Sequence, residues 1–296
     1  MEIKSDSIII SNDYSSVEIV PKLGAHLVSF KIFYKNIEYE LLVQNKYNSF
    51  LQESGSFIMA PWVNRILNGE LNVMDKIYYL PINSSNYAIH GLVKNQTWNV
   101  KNLTKNRILL ETNLSKPWPF SGKIKYLCSL KELALVQTIT IETEDKVEFP
   151  VAIGWHPWFK RSLNQQSGLV KVDALGEWES NSNMQPSGKI INSNLCKKIR
   201  SGIRLEPFES DSCFLLKENG SGYISWPELT LGISGDPTIT NMMVYTTDKA
   251  ICLEPQTSTV NAFQLHNNGV EKTGTCYISK NNPFSSTTSW AWKFHE

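Results

Sequence analysis

The chain has 296 residues, with 29 Lys and Arg against 28 Asp and Glu for a formal net charge of +1, and it is 41% hydrophobic, 11% aromatic and 19% charged. This composition excludes a disordered acidic or basic tail protein, and near-neutral charge offers no footprint for nucleic acid or anionic lipid. At about 150 residues per domain the length suggests two domains, but all-β chains of roughly 200 to 250 residues often form one.

Taken from the amino terminus, Met1 to Val20 breaks its apolar run Ile8-Ile9-Ile10 with Ser, Asn and Asp. It has no h-region, cleavage site or membrane-length apolar run, which predicts a soluble, cytoplasmic protein without a membrane partner. Short runs rich in Val, Ile, Tyr, Phe and Thr then recur about every 8 to 12 residues and predict strands. They are Ser7 to Ile10, Val17 to Val20, His26 to Tyr34, Ile77 to Leu80, Thr97 to Asn102, Arg107 to Thr112, Ile124 to Leu130, Leu133 to Glu142, Leu229 to Ser234, Met242 to Thr246 and Ser289 to Phe294. Leu133 to Glu142 ends in alternating Gln, Ile, Ile and Glu, the pattern of a strand with one buried face. No stretch of about 11 residues or more keeps a helical apolar stripe with a cap at each end, so helix is a minor component. Strands without intervening helices imply antiparallel sheets stacked face to face, an all-β sandwich. Asn181 to Arg200, rich in Asn, Ser and basic residues, reads as a long surface loop, leaving residues 1–296 as one domain.

The five cysteines (Cys128, Cys196, Cys213, Cys252, Cys276) are odd in number and never form a C-x-x-C pair. They predict reduced thiols buried in strands. N-x-S/T sequons such as those at Asn83, Asn95 and Asn102 follow from an Asn- and Ser-rich composition and are assigned no function.

Among His26, His90, His156, His266 and His295, two stand in unusual company. His90 lies in NYAIHGL, and His156 lies between two tryptophans in GWHPWF. A residue before proline is disfavoured in a helix, so His156 is expected to end a strand and face a loop or cleft. The flanking tryptophans are either sugar-stacking platforms or core filler. Arg65, in APWVNRILNG, is either a structural salt bridge or a donor fork for ligand oxygens. Glu254 follows the apolar run Ala250 to Leu253 and is expected at a strand end, where burial raises a carboxyl pKa. Metal-ligand spacings, the G-x-S-x-G elbow and phosphate-binding glycine motifs do not occur.

In chain order, APWVNRILNG (60–69), NYAIHGL (86–92), GWHPWF (154–159), SDSCFLL (210–216) and LEPQ (253–256), preceded by Pro21 to Phe30, resemble the aldose 1-epimerase family of galactose mutarotases and their relatives. The resemblance spans nearly the whole chain and implies a large antiparallel β-sandwich that interconverts the α and β anomers of an aldose without cofactor or metal. It implies that His156 protonates the ring oxygen while Glu254 takes the proton of the anomeric hydroxyl, with Asn64, Arg65, His90, Asp211 and Trp158 binding a small-molecule sugar. A group that donates and a group that accepts, tuned toward neutral pH, are what proton transfer between sugar oxygens needs. Trp158 in place of Tyr and a short span from Asp211 to Glu254 mark a divergent branch. Two alternatives accompany this reading. One is a hexose-6-phosphate 1-epimerase that uses a basic cluster drawn from Arg161, Lys197, Lys198, Arg200 and Arg204. The other is a non-catalytic sugar-binding or sensing module on the same scaffold. Sequence leaves the oligomeric state at monomer or homodimer.

Overall fold

A computed structural model describes residues 7–44, 53–74 and 76–295. The predicted strands form close to their expected places, and the chain builds two large antiparallel sheets, one of twelve strands and one of eight. The first six residues of the Met1 to Val20 segment lie outside the described residues.

The eight-stranded sheet is centred on Gly122–Leu130, Ala134–Glu142 and Phe284–Phe294. Ala134–Glu142 alternates strictly between buried and half-buried positions, as its sequence alternation requires. Its inward Gln137 accepts a hydrogen bond from the Tyr126 hydroxyl at 2.7 Å. The central strands of the twelve-stranded sheet differ. Gly154–Pro157 and Ala250–Gln256 are buried at every position, because both faces are covered. That is why Ala250–Gln256 reads as an unbroken apolar run up to Leu253.

The two sheets pack face to face. Phe30 and Phe159, from the twelve-stranded sheet, meet Trp290 of the eight-stranded sheet at ring-centroid distances of 6.1 and 5.1 Å. Tilted and edge-on pairs of this kind contribute roughly 0.5–1.5 kcal/mol each beyond their buried area. One continuous apolar core draws on both sheets. The fold is therefore the all-β sandwich expected from the strand pattern.

Helix is a minor component: Asn194–Ser201, Ala262–Asn267 and a 3-10 turn at Val93–Asn95. The stretch Asn181 to Arg200 corrects the expectation of a long surface loop: Pro186–Ile191 is an edge strand paired with Ala174–Ser180, and Asn194 to Arg200 belong to the 194–201 helix. Ser193 caps that helix by accepting a hydrogen bond from the Cys196 amide at 2.9 Å, and Cys196 and Ile199 are its buried face. All five cysteines are free; Cys196 is buried in a helix rather than a strand, and Cys276 is only half-buried. No helix among the described residues is long and apolar enough to cross a membrane.

Candidate active site

The second face of the twelve-stranded sheet, opposite the core, carries the site, and strand register assembles it. Gly154 lies opposite Gln256, and Phe159 lies opposite Ile251. Both pairs share one register, which sets His156 opposite Glu254 and Trp158 opposite Cys252. Phe57 pairs with His156, Met243 with Glu254, and Cys213 with Met243. One row across five strands therefore reads Phe57, His156, Glu254, Met243, Cys213. The adjacent row reads Trp158, Cys252, Tyr245, Asp211. Side chains two apart on a strand share a face, so both rows point the same way.

Within these rows His156 Nε2 lies 3.3 Å from Glu254 Oε1. Both side chains are nearly inaccessible. The His156 ring stacks on Trp158 at 5.0 Å and packs on Phe57 at 4.6 Å, which fixes its plane. Trp158 thus forms a wall behind the imidazole, and Tyr245 packs edge-on against it at 5.9 Å. The Gln256 amide donates to Glu254 Oε2 at 3.0 Å, orienting the carboxyl from its other oxygen. Glu254 is the fifth residue of a seven-residue strand rather than a strand end, because the strand continues through Pro255 and Gln256.

Two loops close over this face. Asn64 and His90 both have left-handed backbone, at φ 49° and 65°, and the His90 amide donates to the Asn64 carbonyl at 2.8 Å. Asn and His are both among the non-glycine residues that adopt this conformation most readily. Gly91, at φ +67°, comes so close to the 60–64 loop that a Cβ would sit 2.1 Å from the Ala60 oxygen. This accounts for the glycine after His90. Beyond Asn64, Arg65–Leu67 pairs with Tyr87–Ile89, and Asn261 pins the strand by donating its amide to the Arg65 carbonyl and accepting from the Leu67 amide. Arg65 then reaches 3.3 Å to Asp211 Oδ2 and 3.0 Å to Asn64 Oδ1. The sequence leaves open whether Arg65 is a salt bridge or a donor fork; its fork is held by the ion pair and aimed along the cavity. The His90 ring packs edge-on to His156 at 5.1 Å, with its Nδ1 3.1 Å from Met59 Sδ.

All seven residues singled out in the sequence, Asn64, Arg65, His90, His156, Trp158, Asp211 and Glu254, line one cavity of about 510 Å³. That volume is in the range of small-molecule sites. Burial pushes the His156 imidazole down to about 3, helped by the Lys94 ammonium. Burial and the Asp211 carboxylate push Glu254 up to about 8, against the hydrogen bond from Gln256 and the charge of Arg65. The same burial, with His156 and Lys94 adding to it, holds His90 well below its ordinary value. Asp211 is raised by burial and drawn back by Arg65. Near neutral pH burial therefore keeps the His156 imidazole neutral and the Glu254 carboxyl protonated, one proton held between two groups 3.3 Å apart.

The cavity also exposes residues that no motif marked, including Glu53, Phe57, Lys94, Met243 and Tyr245. Phe57, Met243 and Tyr245 follow from strand register, which a single sequence does not disclose. Lys94 is half-buried and its ammonium sits 5.1 Å above the Phe57 ring, with no carboxylate at ion-pair distance among the described residues. Its signal was a lone Lys four residues after His90, at the Val93–Asn95 turn. None of the basic cluster Arg161, Lys197, Lys198, Arg200 and Arg204 lines the cavity. Arg161, Arg200 and Arg204 instead donate to backbone carbonyls of Thr247, Leu205, Ala174, Leu175 and Ser167. As for metal ligation, His156, Cys252 and Glu254 bring one donor atom each within 4.8 Å of one another. The Cys252 thiol is held protonated by burial, and the other two donors are engaged with each other.

The family model described as Aldose 1-epimerase matches residues 6–279, and the chain belongs to that family. YihR of Escherichia coli K12, an uncharacterized protein, is 33% identical over 111 residues; the match covers 36% of this chain and only 36% of YihR's own length. Among solved structures, a galactose mutarotase-like protein from Clostridium acetobutylicum superposes with TM-score 0.86 at 20% identity, covering 100% of this chain and 97% of that one. An aldose epimerase homologue from C. elegans gives 0.83 at 14% identity, with 98% and 99% covered. A galactose 1-epimerase from Lactobacillus acidophilus NCFM gives 0.80 at 14% identity, with 98% and 95% covered. These similarities extend the sandwich architecture over the full length of the chain.

Proposed function

We propose that the chain is a mutarotase, a one-domain isomerase that interconverts the α and β anomers of a hexose by opening and reclosing its ring. The observation that carries this reading is the buried His156–Glu254 pair, 3.3 Å apart on the cavity wall. Ring opening removes a proton from the hydroxyl on C1 and adds one to the ring oxygen. Both oxygens are bonded to the same carbon, so an acid and a base 3.3 Å apart can serve them together. Family membership supports assigning the ring oxygen to His156 and the anomeric hydroxyl to Glu254. Burial favours the proton on Glu254 before sugar binds. The proton count is the same in both forms, and reclosure on the other face runs each transfer backwards. The guanidinium of Arg65 and the His90 ring face the oxygens on which charge develops. Asp211 accepts sugar hydroxyls, and the Trp158 and Phe57 rings exclude water from the pair.

The test is polarimetry on freshly dissolved α-glucose and α-galactose. Acceleration by the wild-type protein, with near-buffer rates for Glu254→Gln and His156→Ala, is the expected result. Sugar binding without any acceleration would replace the enzyme by a sensing module.

One observation favours a second reading of the substrate. Lys94 brings to the cavity a cation that no described carboxylate neutralises, whereas Arg65 is already paired with Asp211. An anionic sugar such as a hexose 6-phosphate would supply that partner. Under this reading Lys94→Gln raises KM for the phosphosugar more than tenfold and leaves KM for the free hexose within threefold.

A further inference from the structure

A neutral imidazole donates a hydrogen bond from one ring nitrogen and accepts one at the other, so the tautomer of His90 decides what the ring offers to a ligand. We infer that the buried Met59 is a positioning residue that fixes His90 with its hydrogen on Nδ1, so that Nε2 meets the sugar as an acceptor and the hydroxyl placed against it must donate. The tautomer stands on contacts within the protein, whereas the sugar's part in it rests on the mutarotase reading above.

Three observations carry it. First, His90 Nδ1 lies 3.1 Å from Met59 Sδ. A thioether sulfur accepts and never donates, so the contact attracts only when Nδ1 carries the hydrogen; two lone pairs at that separation would repel. Second, both partners are held in place. Met59 is fully buried at the end of Ser56–Met59 and pairs with Gly154. Its seat exists because Gly154 lacks a side chain: a Cβ there would sit 2.9 Å from the Met59 Cε. The His90 ring packs edge-on against Phe57 at 5.6 Å and against His156 at 5.1 Å, and its backbone amide is tied to the Asn64 carbonyl. Third, Nε2 makes no hydrogen bond to any described residue, while the residue lines the cavity. Burial keeps the ring from taking a second proton, aided by His156, Lys94 and Arg65, so Nε2 presents a lone pair. A lone pair does not stabilise negative charge. Of the two groups facing the oxygens on which charge develops, Arg65 therefore supplies the donors, and His90 orients a hydroxyl by accepting its hydrogen.

The experiment has a spectroscopic arm and a kinetic arm. Long-range hydrogen–nitrogen correlation spectra of protein labelled with nitrogen-15 at histidine separate a protonated ring nitrogen from a bare one. The chain has five histidines, and the His90 signals are assigned by their loss in His90→Gln. The expected result is hydrogen on Nδ1 and a bare Nε2 in the wild type, with the other tautomer gaining population in Met59→Leu, which removes the acceptor at nearly constant volume. Hydrogen on Nε2 in the wild type overturns the inference, and that reading needs no variant to fold. The kinetic arm compares kcat/KM by polarimetry for glucose and for analogues with fluorine in place of the hydroxyl at C3, C4 or C6, because fluorine cannot donate. One analogue should lose roughly tenfold or more, mainly in KM, and Met59→Leu should narrow that loss at least threefold while leaving the penalties at the other positions in place. Asp211 also penalises a fluorine, but its penalty does not respond to Met59. Hydrogen on Nδ1 with no penalty that narrows in Met59→Leu overturns the acceptor role in sugar binding. Hydrogen on Nδ1 without turnover of any sugar supports the tautomer and removes the mutarotase. Turnover of glucose with hydrogen on Nε2 overturns the tautomer and leaves the mutarotase standing.

Discussion

Replacing Glu254 by Gln should abolish turnover and at the same time make the protein more stable at neutral pH. Glutamine has the volume of glutamate and permanently carries the neutral form that burial imposes. Its amide can donate to neutral His156 Nε2 while its oxygen accepts from Gln256, so both contacts of the native carboxyl at 3.3 and 3.0 Å persist. The wild-type carboxyl titrates near 8 when folded, against an ordinary value of 4.5. The folded state therefore holds a proton that the unfolded chain releases, and stability contributed below the unfolded value is lost as pH rises toward the folded value. At 1.36 kcal/mol for each tenfold in proton affinity, the cost is about 3 kcal/mol at pH 7 and roughly 5 kcal/mol above pH 8. The Glu254→Gln variant escapes this cost. Urea denaturation of both proteins at pH 4.5 and pH 7 should give a stability difference that shifts by about 3 kcal/mol in favour of Glu254→Gln across that interval. Polarimetry on the same samples should show a rate loss of about 10²- to 10⁴-fold. A difference that stays constant with pH, or a variant that loses stability on going to pH 7, would refute the argument that this carboxyl is buried with its proton.

The pair's proton also sets the pH profile: kcat/KM should stay level through neutrality and fall tenfold per pH unit above about 8, where the proton on Glu254 is lost. A profile governed by an ordinary histidine, breaking near 6.5, would contradict this. Asp211→Asn should raise KM about 10- to 100-fold by removing a charged acceptor and unpairing Arg65, and it should also move the alkaline break to lower pH, because the Asp211 charge is one of the causes that raise Glu254. Gly91→Ala should cost about 1–3 kcal/mol and lower the melting temperature by several degrees, since a Cβ at φ +67° would meet the Ala60 oxygen at 2.1 Å. An unchanged melting temperature would mean that the 60–64 and 88–92 loops do not approach as described.

The strands were legible because each declares itself locally. Leu133 to Glu142 alternates, and the chain forms a one-faced strand at Ala134–Glu142. The clustering of the candidate residues was legible because five motifs occur in order, and all seven named residues line one cavity. What stayed hidden depends on partners distant in sequence. Phe57 faces His156 from a strand about a hundred residues earlier, and nothing near Phe57 announces the pairing. The helix at Asn194–Ser201 was missed for a different reason. Its eight residues are too few to repeat an apolar stripe, although Ser193 before it and Gly202 after it are ordinary start and stop signals. Lys94 had no motif at all, and its importance comes from standing in a cavity without a described carboxylate partner.

Register also explains why the His156–Glu254 pair is kept on a sheet whose other face packs into the apolar core. Along Ala250–Gln256, Ile251 and Leu253 enter the core while Cys252, Glu254 and Gln256 lie on the opposite side, where Glu254 lines the cavity. A slip of one residue would drive Glu254 into the core and lift Leu253 into the cavity, so the register that sets His156 beside Glu254 is enforced by the cost of the alternative. Two small apolar clusters flank the polar centre on the same face, one around Trp178, Cys213, Leu215 and Met243 and one around Trp158, Ala250 and Cys252. They dry both sides of the pair, and drying is what moves His156 down and Glu254 up. The feature that lowers the stability of the fold, a buried carboxyl next to a buried imidazole, is thus the one that keeps a shared proton available near neutral pH.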